Sequence, residues 1–426
     1  TDGTGYLFGL TEAARLSGDA GDYRLELSAI TDVHGNRIDF EYIRAPGSTA
    51  PLLAAITYND GRAAVRFQYE ARPDLVRTRA PGFPVELRHR LRALTTEALG
   101  APVRTTTLTY ARSVMAPASM LARIDTVAAD GTALPPWHMA YTRADDEPRA
   151  LEVAHAPALD PTADGRAWLD LDGDALPDLL DATGDTWRYR KGRGDALAQA
   201  WTEFPAPAVT LTTTARFADL TGDGIEDLLT QPGVGELWAF TGGDKPFGTA
   251  TPITVDLGFD LTASNVALVD LNLDSRVDVL RHDDADGWIW LRHHDAPSYL
   301  PAEPVPPPPA GMRLGDPGVQ LADLDGDRLP DLVRILPSEG RVLYAAGEGL
   351  GLFAEPVDLA GVPAMQDSER WEFADLSGDG AADLVRIGRD SLDLYTSQHD
   401  GSVALAASVA WPVLEADEVV ILSDID

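Results

Sequence analysis

The sequence predicts an all-β chain in two parts, a region of β-hairpins followed by a β-propeller, and three observations carry that expectation. An acidic nonapeptide recurs five times with a period near 50 residues, which suits a four-stranded blade rather than a leucine-rich or helical repeat. Each copy is followed by short stretches that alternate apolar and polar residues, and that half has no segment with a convincing helical period. Charge is also split unevenly: residues 1–150 hold 18 acids and 17 bases, whereas 151–426 hold 50 acids and 17 bases. Such a step in composition marks a domain boundary near residue 150, with the Asp-, Pro- and Ala-rich stretch 145–165 as the linker.

Composition narrows the function. The 426 residues carry a formal charge of −34, 44% apolar residues and no cysteine. Disulfide frameworks, thiolate zinc sites and a cysteine nucleophile are thereby removed. No window reaches 18 apolar residues, so no transmembrane helix or direct membrane insertion is expected, and the opening TDGTGYLFG shows no secretory-leader pattern. Nucleic-acid backbone binding needs clustered Lys and Arg, which an acidic chain lacks. The expected partners are cations, basic surfaces or neutral proteins.

The repeat copies are Asp170-Leu-Asp-Gly-Asp-Ala-Leu-Pro-Asp178, Asp219-Leu-Thr-Gly-Asp-Gly-Ile-Glu-Asp227, Asp270-Leu-Asn-Leu-Asp-Ser-Arg-Val-Asp278, Asp323-Leu-Asp-Gly-Asp-Arg-Leu-Pro-Asp331 and Asp375-Leu-Ser-Gly-Asp-Gly-Ala-Ala-Asp383. A sixth begins at Asp424 and stops at Asp426, which predicts five full blades and part of a sixth over 151–426, truncated at the C-terminus. A short apolar stretch follows each copy, then a turn, then an aromatic-bearing strand: TWRYRKG (186–192), ELWAF (236–240), GWIWL (287–291), RVLYAA (341–346) and LDLYT (392–396). Stacked blades bury both faces of each sheet, which accounts for stability without cysteine.

Oxygens at positions 1, 3, 5 and 9 of a tight loop, with the position-7 carbonyl, can surround one hard cation at about 2.3–2.6 Å. The predicted ligands are Asp170, Asp172, Asp174, Leu176 and Asp178; Asp219, Thr221, Asp223, Ile225 and Asp227; Asp270, Asn272, Asp274, Arg276 and Asp278; Asp323, Asp325, Asp327, Leu329 and Asp331; and Asp375, Ser377, Asp379, Ala381 and Asp383. Leu176, Ile225, Arg276, Leu329 and Ala381 would act through their carbonyls. Gly173, Gly222, Gly326 and Gly378 at position 4 let the backbone fold inward; Leu273 in the third loop makes it the weakest site. Position 12 is Asp181, Thr230, Arg281, Arg334 and Arg386, so the bidentate Glu of an EF-hand is missing. A metal-free alternative is that the aspartates only bond amides in Asx turns, but clustered carboxylates repel without a cation. Ca²⁺ suits a flexible all-protein oxygen cage better than Mg²⁺, and about five structural ions are expected.

The string D-x-[DNTS]-x-D-x-x-x-D resembles the FG-GAP/VCBS repeats of integrin-α-like propellers. The first part has hairpins at 27–42, 53–70 and 120–142 around Gly35-Asn36, Asp60-Gly61 and Asp130-Gly131. Those hairpins, with VELRHRLRAL (85–94) and RTTTLTYA (104–111), resemble the Rhs/YD-type strands of the SpvB family and of the B component of insecticidal toxin complexes (Tc toxins). In that family such strands precede FG-GAP repeats, the order found here. The resemblance implies a secreted, extracellular, non-catalytic shell and docking portion of a toxin-complex B-type protein. Such a portion encapsulates a toxic C-terminal segment and helps deliver it through an A-type channel, so the implied partners are that channel and the C-type toxic segment. Rival readings are an extracellular adhesion or ligand-binding propeller and a propeller polysaccharide lyase or hydrolase.

Other motifs are weaker. Arg193-Gly194-Asp195 is an integrin-type tripeptide that arises readily in such a composition. His293 and His294, adjacent in a strand, point to opposite faces and cannot readily share an ion. Pro304–Pro309 reads as a stiff extended loop. Arg88, Arg90 and Arg92 share one strand face, suited to an acidic neighbour. No HExxH, GxSxG, GxGxxG or Walker loop occurs, and every clustered Asp belongs to the repeat.

Overall fold

The computed structural model describes residues 3–18, 21–113, 118–141, 155, 157, 165–174, 176–193, 196–207, 215–233, 236–242, 246–248, 250–253, 258–283, 287–294, 298–366 and 369–410. The RGD residues Gly194 and Asp195, most of the 145–165 stretch and the sixth repeat start at 424–426 lie outside them. Two compact units separate: Thr1–Glu147 with Asp325–Asp327 and Ser397–Asp400, and Pro148–Leu324 with Arg328–Thr396 and Gly401–Asp426.

The first unit is built on a nine-stranded sheet whose strands neighbour one another in chain order, from Gly5–Phe8 through Leu27–Thr31 to Trp137–His138, all antiparallel. A separate two-stranded ribbon pairs Arg15–Gly18 with Gly21–Leu25. The expected hairpins are present, each closed by residues that tolerate positive φ. At the second turn Asn59, Asp60 and Gly61 are all left-handed, at 55°, 52° and 74°. Two strands are long, Ala63–Thr78 and Val85–Ala98. Their register breaks between Ala71 and Val76, and this bulge holds Asp74, which is buried, ion-pairs with Arg72 at 2.5 Å and accepts the Ser119 N–H at 2.9 Å. The arginine-bearing strand finds its acidic neighbours within the same sheet: Arg88 pairs with Glu86, and Arg90 with Glu70 while stacking on Tyr110.

The second unit contains five four-stranded antiparallel sheets, a five-bladed β-propeller arrangement, with no α-helix among the described residues. In every blade the last residue of the first strand pairs with position 9 of the nonapeptide: Leu169 with Asp178, Ala218 with Asp227, Val269 with Asp278, Ala322 with Asp331 and Ala374 with Asp383. The nonapeptide is therefore the loop between first and second strands, and its final Asp starts the second strand. The two residues after it explain why blades stack. Leu228 packs with Leu180 and Trp187 of the first blade, while Leu229, on the opposite face, packs with Val279 and Leu291 of the third. Leu332 and Val333 split the same way between the third and fifth blades. Both faces are buried, so each second strand begins with a continuous apolar pair rather than an alternation, and each such side chain contributes about 1.5–3 kcal/mol by leaving water.

Candidate metal centre

Aspartates at positions 1, 5 and 9 fold the backbone of the first, second, third and fifth nonapeptides. The position-1 carboxylate gathers successive amides: Asp219 Oδ1 accepts the N–H groups of Thr221, Gly222 and Asp223 at 3.1, 2.7 and 3.3 Å, and Oδ2 that of Gly224 at 2.8 Å. Asp270 repeats this with Asn272, Leu273, Asp274 and Ser275, and Asp170 and Asp375 gather the equivalent amides of their loops. The position-5 carboxylates of Asp174, Asp223, Asp274 and Asp379 accept the N–H of position 7, Leu176, Ile225, Arg276 and Ala381, at 3.0–3.1 Å. In the fourth loop Asp323 accepts the N–H of Arg328 at 2.7 Å.

These turns leave carboxylates crowded together. One oxygen from each of Asp170, Asp172 and Asp174 lies within 4.8 Å of the others, and the same holds for Asp323, Asp325 and Asp327. The other loops keep an oxygen-bearing but uncharged Thr221, Asn272 or Ser377 at position 3. An all-oxygen donor set of this kind fits a hard divalent cation.

Position 9 has a structural task beyond that of a ligand. Asp178, Asp227, Asp278, Asp331 and Asp383 are fully buried. In each, Oδ2 accepts the N–H of position 2: Leu171, Leu220, Leu271, Leu324 or Leu376. In the first four, Oδ1 accepts an amide from beyond the third strand, that of Gly192, Gly242, His293 or Gly347, at 2.5–2.7 Å. The residue thus ties the loop to the opposite end of its own blade. Burial pushes the Asp178 carboxyl up to about 7 and those of Asp227 and Asp278 up to about 6, against the pull of these amides and with a further push from neighbouring loop carboxylates. A bound cation would supply the charge that offsets this rise.

Position 4 is left-handed in all the loops with a described φ there, including Leu273 at 61° beside Gly222 at 77°. At Gly222 glycine is required for space as well, since a Cβ there would lie 2.9 Å from the Ser275 carbonyl of the next loop. Neighbouring loops also bond directly, the Glu226 N–H to the Asp170 carbonyl at 3.5 Å and the Ala382 N–H to the Asp323 carbonyl at 2.5 Å. The acidic loops accordingly join one blade to the next.

Basic partners were not anticipated. Lys191, one of only two lysines in the chain, places Nζ 2.6 Å from Asp172 and 2.9 Å from Asp174. Within the first unit, Arg77 reaches Asp325 at 2.5 Å and Arg79 reaches Asp327 at 3.0 Å. The scarcity of lysine was a usable signal for the first; nothing in the local sequence pointed to the arginines, each 248 residues from its aspartate. Elsewhere, His293 is buried and His294 exposed, so the pair does face opposite ways, and Pro304 sits in the outer strand of the third blade opposite Ile289.

A family model described as an FG-GAP-like repeat matches residues 170–230 and 323–386. Those spans hold the first, second, fourth and fifth copies; the third, with Leu273 in place of glycine, falls outside. No curated protein matches. Among solved structures, the chain is similar to one of the Photorhabdus luminescens Tc holotoxin pore, at 20% identity and a TM-score of 0.74, covering 100% of this chain and 23% of that one. It is also similar to a crystal structure of TcdB2-TccC3, at 19% identity and a TM-score of 0.61, covering 100% and 24%, and to one of TcdB2-TccC3-Cdc42, at 19% identity and a TM-score of 0.59, covering 96% and 23%. This chain spans about a quarter of the length of those chains and has the fold of the part it matches.

Proposed function

We propose that this chain is part of the shell of a toxin-complex B-type protein, secreted and non-catalytic, with a propeller that docks on a protein partner. One observation carries the reading: the match to a Tc holotoxin structure covers the whole of this chain, hairpin sheet and propeller alike. On this reading the work is done by surfaces. The propeller engages an A-type channel while the shell, extended by sequence outside this chain, encloses a C-type toxic segment. Structural Ca²⁺ in the acidic loops would be held by side-chain oxygens at positions 1, 3, 5 and 9 with the position-7 carbonyl, and would neutralise the loops that join the blades. No helix among the described residues is long and apolar enough to cross a membrane.

The test is assembly. The complete protein, mixed with an A-type channel component, should co-elute as a complex on size-exclusion chromatography, with the propeller at the contact in an electron-microscopy reconstruction. Absence of a complex at micromolar concentrations, or contact through a different region, would remove the docking role.

A further inference from the structure

The five loops differ in one respect that concerns their own charge. Only the first and fourth carry Asp at position 3, giving four motif aspartates where the others have three. In the first loop the additional carboxylate, Asp172, meets Lys191 at 2.6 Å, and the same ammonium is 2.9 Å from Asp174. Lys191 is held there by backbone. Its neighbour Gly192 donates its N–H to Asp178 at 2.7 Å, and the Lys191 carbonyl accepts the Ala198 N–H at 2.8 Å. The main chain that carries the ammonium is therefore fixed on both sides, and the half-exposed lysine stem spans from it to the loop.

The same register can be read in the other blades, as the residue before the one that donates to position 9. It is Thr241, Arg292 and Ala346 in the second, third and fourth blades. Arg292 stacks its guanidinium over Trp290, 5.5 Å from the ring centre. Ala346 has no charge to offer, and in the fourth loop the two central carboxylates meet Arg77 and Arg79 instead. Thus the added carboxylate at position 3 coincides with a basic side chain on Asp172 or Asp325.

We infer that Lys191 is the resident counter-ion of the first loop, occupying the oxygens of Asp172 and Asp174 that a divalent cation would need and keeping that loop free of metal. This rests on the reading of the acidic loops as cation sites, and it divides them: of the two loops with four aspartates, the first is closed to calcium by a lysine of its own blade. The physical basis is tethering. An ammonium tethered within hydrogen-bond distance of two carboxylates by the segment that follows the third strand competes with free Ca²⁺ at a high effective concentration, and a cation entering the loop has to displace it.

The test counts bound Ca²⁺ by isothermal titration calorimetry and native mass spectrometry on the chelator-stripped protein, using Ca²⁺ alone as the probe. Lys191→Met, which keeps the stem but removes the charge, should bind one more Ca²⁺ than the wild type. Thr241→Lys, which places a lysine at the same register of the second blade, should bind one fewer, and serves if the first variant fails to fold. Equal stoichiometry in wild type and Lys191→Met overturns the inference, as does an unchanged count in Thr241→Lys. The two readings fail separately: five ions in both wild type and Lys191→Met keeps the cation loops and removes the role of Lys191. No ion in the wild type and one in Lys191→Met does the reverse.

Discussion

The carboxylate of Asp227 accepts the backbone N–H of Gly242, 15 residues downstream, at 2.5 Å, while its other oxygen accepts the N–H of Leu220 at 2.9 Å. One buried side chain thereby fastens the acidic loop, the start of the second strand and the end of the third. Removing it orphans two amides at once. Asp227→Ala should cost about 3 kcal/mol of stability already in chelator. Asp223→Ala, which removes an exposed turn acceptor, should cost about 1 kcal/mol in chelator and more in Ca²⁺. Urea unfolding in each condition separates the two, and equal losses for both variants in chelator would contradict the division of labour between positions 5 and 9.

Position 4 gives a paired prediction. Gly222→Ala places a methyl 2.9 Å from the Ser275 carbonyl at a φ of 77°, and should destabilise by about 1–3 kcal/mol. Leu273→Gly relieves a left-handed non-glycine residue at 61° and should be neutral or stabilising by up to about 1 kcal/mol. Denaturant midpoints of the two variants check both signs.

In the hairpin sheet, burial alone would push the Asp74 carboxyl up, but hydrogen bonds from Arg72 and Ser119 outweigh it and hold the group below the ordinary carboxylate range. A depressed folded value means that its stabilisation is complete above the unfolded value, about 3.9, and is lost as pH falls through the folded one. Asp74→Asn should cost about 2–3 kcal/mol between pH 5 and 8, by leaving Arg72 without its carboxylate. That deficit should shrink below pH 4, as read from unfolding curves of both proteins across pH.

Much of this architecture was legible because it is local and repeated. The spacing of Asp170, Asp219, Asp270, Asp323 and Asp375 marks five hairpin loops, and the aromatic segments become third strands almost residue for residue, as at Thr186–Arg190 and Gly287–Leu291. The hairpin at 27–42 likewise becomes Leu27–Thr31 and Arg37–Ile43. What escaped depends on partners distant in sequence. The bulge at Asp74 is fixed by Ser119, 45 residues on, and the fourth loop meets Arg77. The bracket at position 9 was hidden differently: an Asp in a nonapeptide of acids reads as a ligand, and only its burial reveals two amides that need an acceptor. Lys191 was passed over because a basic residue in an aromatic strand carries no periodic signal.

The most direct test of cation-filled loops as the fastening of this propeller is a thermal melt of the same sample in EDTA, then with excess Ca²⁺, then with excess Mg²⁺. A binding linkage predicts that EDTA lowers the melting temperature, that Ca²⁺ restores it and raises it further with concentration, and that Mg²⁺ restores little. At a hundredfold excess over its dissociation constant, each filled site adds about 2.7 kcal/mol. Superimposable melts in EDTA and Ca²⁺ would contradict the account and leave the aspartates as turn-formers alone.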